Sequence, residues 1–213
     1  MREFYRLETI DFGDFPFAFC DLPINTNNYA DTGFKCSKCS APIGALYWLE
    51  PRRVILSKPR YGDFVSGQRY LFSEKVKTAY EQSDLKGVKA FIPVEIAKVR
   101  YMHKGSPKPP QYYALELEYS YAGVDIEKSV VRGNPHEGWC TLCNPFRNTK
   151  NEIRGIYIDD TNWGGEDIFH LYEMGGSVYA SQKFIDFCEE HKFTNFNYIN
   201  TKDYVFDFFG SFI

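Results

Sequence analysis

Two CxxC pairs, Cys36-Ser37-Lys38-Cys39 and Cys140-Thr141-Leu142-Cys143, stand 104 residues apart and constrain this chain more than any other feature. A Cys-x-x-Cys turn lets two sulfurs converge on one point. Four thiolates in two such turns make the closed tetrahedral shell that zinc prefers. Each pair sits among turn formers: Gly33 before and Ser40 and Pro42 after the first, Gly138 before and Asn144 and Pro145 after the second. The expectation is one structural Zn2+ held by Cys36, Cys39, Cys140 and Cys143, with His103 and His136 as substitute ligands set against an ordinary surface role. Redox pairs, disulfides and unrelated free thiols are the competing uses, and neither motif sits between a strand and a helix start as a redox pair does. A closed sulfur shell has no open position, so such a metal stabilises a fold rather than activating water or substrate. Cys20 and Cys188 are left over, and Cys188 reads as a core thiol on an apolar helix face.

A separation of 104 residues is too long for a small autonomous finger, and a weak internal repeat offers a reason for it. Asp63-Phe64 lies 104 residues before Asp167-Ile168, the same spacing as the CxxC pairs. Residues 70–76 resemble residues 178–184 at an offset of 108, which a four-residue insertion near Met174-Gly175-Gly176 reconciles. In each copy a short apolar strand ends at a serine, Ser73 or Ser181, able to cap a following helix. Val76, Ala79 and Tyr80 share one face of the first helix; Phe184, Phe187, Cys188 and His191 share one face of the second. Strand-like runs follow at 88–92 and 196–199. The Gly- and Pro-rich stretch 104–110 marks a boundary, giving halves 1–104 and 105–213 that each supply one knuckle and pack as one unit.

Further strands are expected at 4–12, 53–57, 94–101, 112–119 and 153–158. With 19 Phe and 16 Tyr, the chain can build a core from rings and β-branched residues, which suits sheets better than a helical bundle. The fold class is therefore α+β: mainly antiparallel sheet, few helices, two related halves joined at a shared zinc knuckle site.

The formal net charge of −3, with Lys and Arg scattered rather than clustered, argues against a large phosphate footprint. Basic residues such as Arg52, Arg53, Lys58, Arg60, Lys104 and Lys108 read as a solvated face. No signal-peptide pattern and no membrane-length apolar run are seen, which points to the cytoplasm. HExxH, phosphate-cradling and GxSxG motifs are absent, so a catalytic role has no sequence support. The acidic stretch Asp159, Asp160 and Glu166 with Trp163 is the candidate partner surface, suited to a basic protein. Its plainer reading is a polar loop. Asp63 and Asp167, at matching places, suggest a structural task, and Trp139 reads as a shield for the second knuckle or a partner anchor.

The chain resembles the double-CxxCG immunity proteins of myxobacterial toxin–immunity pairs. The likeness is carried by Cys36-Ser37-Lys38-Cys39, by Trp139-Cys140-Thr141-Leu142-Cys143, by Glu166-Asp167-Ile168-Phe169 and by the closing stretch 178–196. It departs where Ser40 and Asn144 stand in place of the glycine after each second cysteine. The resemblance implies a non-enzymatic protein that neutralises a cognate toxin by occlusion on a zinc-stapled scaffold. The alternative class is a zinc-stapled adaptor or nucleic-acid-binding protein.

Overall fold

Serine caps and apolar stripes set both helices where the sequence places them. In the computed structural model, which describes residues 2–8, 16–22, 29–30, 35–41, 43, 47–48, 50–66, 70–133, 140–146 and 150–207, helix α1 spans Glu74–Glu81 and helix α2 spans Gln182–Glu190. The Ser73 and Ser181 hydroxyls accept the N–H of Val76 and Phe184, both at 3.4 Å, so each helix begins at its cap. Val76 and Tyr80 are buried on α1, and Phe184, Ile185 and Cys188 on α2. The buried stripe of α2 thus turns toward Ile185, leaving Phe187 half-buried and His191 at the exposed C-cap.

The strands form two main sheets and several short ladders, an α+β architecture rich in sheet. One sheet runs in the order Cys20–Asp21, Arg53–Leu56, Val88–Val99, Tyr112–Leu117, Leu71–Ser73, Phe64–Val65. The other runs Tyr119–Ser120, Ile168–Leu171, Tyr179–Ser181, Phe4–Leu7, Tyr198–Asn200. Pairing is antiparallel except between Arg53–Leu56 and Val88–Val99 and between Tyr119–Ser120 and Ile168–Leu171. The runs expected at 88–92 and 94–101 are one strand passing through Pro93. The ladder to Arg53–Leu56 starts only at Glu95, so the missing proline N–H breaks no bond on that side.

The two strand–helix units share their local construction. Phe64 pairs with Phe72, and Ile168 with Ala180. Ser73 donates its N–H to the Asp63 carbonyl as Ser181 does to that of Asp167, both at 2.9 Å. The same hydroxyls reach the carboxylates, Ser73 to Asp63 at 3.3 Å and Ser181 to Asp167 at 2.8 Å. Each sheet then receives a strand from elsewhere in the chain. Tyr112–Leu117 enters between Leu71–Ser73 and Val88–Val99, with Ser73 opposite Tyr112. Phe4–Leu7 enters between Tyr179–Ser181 and Tyr198–Asn200, with Ser181 opposite Phe4. The segments after the helices also cross over. Lys86, beyond α1, binds Asp167, and Thr194, beyond α2, binds Asp63.

This interleaving gives both helices one core. Phe64, Phe72, Val76, Tyr80 and Leu117 meet Leu7, Ile168, Ala180, Phe184, Ile185 and Cys188 in one buried cluster. The Phe72 and Phe184 rings stack 6.4 Å apart across it. Full burial of such a side chain contributes roughly 1.5–3 kcal/mol, which makes this cluster the main adhesive between the sheets. The boundary expected at 104/105 falls inside the connection 100–111 joining two paired strands, Val88–Val99 and Tyr112–Leu117.

Candidate metal centre

Neither cysteine pair lies on a helix or an extended strand; each is shaped by its own turn. Cys36 is tied to the chain beyond its partner, its N–H donating to the Ala41 carbonyl at 2.8 Å. Ser40 donates its N–H to the Cys36 carbonyl and Asn144 to the Cys140 carbonyl, both at 2.9 Å, so the two turns close alike. Ser40 holds φ at +59°, the left-handed conformation in which glycine is most at ease. The Leu142 N–H points at the Cys140 sulfur at 3.5 Å.

The two turns meet face to face. Cys36 Sγ lies 3.8 Å from Cys140 Sγ, and Cys39 Sγ lies 3.6 Å from Cys143 Sγ. All four sulfurs lie within 4.8 Å of one another. A tetrahedron with zinc–sulfur bonds of about 2.3 Å has edges of about 3.8 Å, whereas a disulfide brings sulfurs to about 2.05 Å. The spacing therefore fits one shared ion, and all four thiols are free. Cys36 and Cys140 are buried, Cys143 is half-buried and Cys39 is exposed.

The surroundings favour a thiolate at Cys140. N–H groups of Cys143 and Leu142 aimed at its sulfur pull the Cys140 thiol down to about 6. Burial, with the adjoining sulfurs, pushes the Cys143 thiol up. Cysteine binds a metal as the thiolate, so occupation of this cluster is coupled to release of its thiol protons. Burial lowers the Lys150 ammonium, while the charges of Cys143 and Glu173 support it. Ile43 and Tyr172 pack on Cys36 and Cys140, with Tyr119 and Leu142 beside them. The Tyr119 hydroxyl donates to the Ile43 carbonyl at 3.3 Å. Sequence reasoning missed Ile43, Tyr119, Tyr172 and Lys150, because apolar and lysine residues carry no ligand signature and reach the cluster only through the fold.

The remaining candidates divide. His103 is exposed on the connection 100–111 and does not belong to the four-ligand cluster; His136 and Trp139 lie outside the described residues. Cys20 and Cys188 are buried core thiols. The acidic stretch is engaged within the chain itself. Asp159 accepts the Thr161 N–H at 3.0 Å and hydroxyl at 2.5 Å, which holds its carboxyl below the usual range. Asp160 pairs with Arg2 at 2.8 Å and is lowered by it. The Trp163 ring lies under the Arg2 guanidinium at 5.1 Å and edge-on to Phe4 at 5.4 Å, and its Nε1 donates to the Glu166 carbonyl. Glu166 accepts the Ser120 hydroxyl at 3.0 Å. Of these groups Arg2, Phe4 and Trp163 line a cleft of about 400 Å³, together with Asp167 and Lys183 among others.

Fold and site together define a sheet-rich α+β protein with a candidate four-thiol structural metal centre. The chain belongs to the Immunity protein family (Imm11), whose family model matches residues 48–203. That match includes Cys140 and Cys143 and begins after Cys36 and Cys39. No curated protein matches the chain. Among the described residues no helix is long and apolar enough to cross a membrane.

Proposed function

We propose that this chain protects its own cell by binding a cognate toxin and blocking it sterically, on a scaffold stapled by one Zn2+. Membership of the immunity family over residues 48–203 is the observation that carries this reading. The four-thiol cluster supports it from the chemical side. Four sulfurs leave no coordination position for water or substrate, so the ion's contribution is to hold the two knuckles together, not to turn over a reactant. Tetrahedral sulfur donors suit zinc, with iron as the other common occupant.

The reading extends to the double-CxxCG type of immunity protein, to action in the cytoplasm and to an origin by duplication. For duplication, the support is the matched pair of caps and the reciprocal exchange of strands and post-helix segments. On this reading each half, 1–104 and 105–213, supplies one knuckle and borrows a strand from the other.

The test is expression of the product of the neighbouring gene in a sensitive host, with and without this chain. Restored growth together with co-purification of the two proteins is the expected result. Continued killing in the presence of soluble, folded chain contradicts the reading for that toxin.

A further inference from the structure

We propose that the connection 100–111 is the prong that seats this chain in an acidic, apolar-centred recess of its toxin, an inference that rests on the immunity reading above. The strand Val88–Val99 outruns its hairpin partner. Its ladder to Tyr112–Leu117 ends at Val94 opposite Tyr112, and beyond it the strand is held by Arg53–Leu56 up to Val99. The chain is thus carried past its neighbour before it turns back.

At the turn stand Tyr101, 82% exposed, and Met102, 48% exposed. Tyr101 also adopts φ +57°, a left-handed conformation that a bulky residue rarely takes. A large ring held in water on an unfavourable backbone gains nothing in the free protein. Tyrosine and methionine are, however, residues that interfaces use as central anchors.

The prong is preorganised. His103 and Ser106 bridge each other, the His103 N–H to Ser106 Oγ and the Ser106 N–H to the His103 carbonyl, both at 3.0 Å. The Arg100 N–H donates to the Leu56 carbonyl at 2.8 Å, and the Tyr61 hydroxyl to the Pro107 carbonyl at 3.2 Å. Loops fixed in this way lose less freedom on binding.

Charge identifies the occupant. Between Glu95 and Glu116 the sequence has no acidic residue but carries Lys98, Arg100, Lys104 and Lys108, on a chain whose net charge is −3. Arg100 pairs with Asp21 at 3.1 Å, whereas Lys98, Lys104 and Lys108 are exposed and form no ion pair among the described residues. Free cations around an aromatic anchor complement carboxylates around an apolar hollow, steer the encounter and reject basic surfaces. A nucleic acid would need a broader cationic face than this tip offers. The prong also lies within the residues matched by the immunity family.

The test measures binding of the full chain to the neighbouring-gene product, with a single-stranded RNA oligonucleotide as second probe. Tyr101→Ala is expected to weaken toxin binding at least about tenfold, and Tyr101→Phe to retain it. Lys104→Glu with Lys108→Glu is expected to slow association and flatten its salt dependence, with the melting temperature unchanged in every variant. If the wild-type chain binds and protects while these variants match it, the prong is wrong and the immunity reading stands. Failure of the wild-type chain to bind or protect sinks both. RNA binding abolished by the double charge reversal would assign the tip to nucleic acid and overturn the proposal.

Discussion

Asp63 and Thr194, 131 residues apart, are joined by three hydrogen bonds: Asp63 Oδ2 accepts the Thr194 N–H at 2.8 Å and hydroxyl at 2.9 Å, and the Asp63 N–H donates to Thr194 Oγ1 at 2.9 Å. Asp167 does the same work for the segment beyond the other helix, accepting the Lys86 N–H at 3.0 Å while its own N–H donates to the Lys86 carbonyl at 2.8 Å. Each aspartate also orients the capping serine of its own unit. Replacing either with alanine removes several hydrogen bonds to a charged acceptor at once, and at the buried Asp167 it also leaves donors without acceptors away from water. Asp63→Ala and Asp167→Ala are each expected to lower unfolding free energy by about 2 kcal/mol or more, read by urea denaturation. A change within about 0.5 kcal/mol would show that these carboxylates do not hold the crossover.

Gly87 follows Lys86 in the same crossover at φ +115°, and a Cβ there would lie 1.8 Å from the Ile168 carbonyl oxygen. Gly105, at φ +94°, has nothing within 4 Å of that position. Gly87→Ala is therefore expected to lose the backbone preference plus a steric conflict, well over about 2 kcal/mol, whereas Gly105→Ala loses only about 1 kcal/mol. Equal melting temperatures for the two variants would remove the close approach from the account.

His170 donates from Nδ1 to the Ser177 carbonyl at 2.7 Å, and burial lowers its imidazole below the ordinary value of about 6.5. The native state then binds fewer protons than the unfolded chain at moderately acid pH. Stability from this residue is present above the ordinary imidazole value and is lost as pH falls below it. His170→Gln is expected to flatten the loss of melting temperature between pH 7.5 and 5.5 relative to wild type. Metal loss on acidification affects both proteins, so the difference between them isolates the histidine. Parallel pH curves would contradict the assignment.

What could be read from the sequence was local. The CxxC turns, the Ser73 and Ser181 caps and the buried Val76, Tyr80, Phe184 and Cys188 all follow from residue type and spacing over one or two turns of chain. What could not be read was the crossing. Nothing in Phe4–Leu7 says that it belongs between Tyr179–Ser181 and Tyr198–Asn200, because strand pairing across such separations depends on the packed core and leaves no periodic mark. Pro107, Pro109 and Pro110 signalled a break, and a break in the strand is what 100–111 is. The same prolines are compatible with a domain linker or a hairpin connection, and the ladder between Val88–Val99 and Tyr112–Leu117 shows that the strands on either side of them pair. The acidic stretch expected as a partner surface also makes contacts within the chain that residue type alone does not reveal, to Arg2, Thr161 and Ser120.

The staple is tested most directly by metal content. Full-length protein purified under reducing conditions without chelator is expected to carry close to one zinc per chain, and chelation is expected to lower its melting temperature. Cys39→Ser should lower both together. A folded chain with almost no bound metal, and with a melting temperature indifferent to chelator, would contradict the four-cysteine centre.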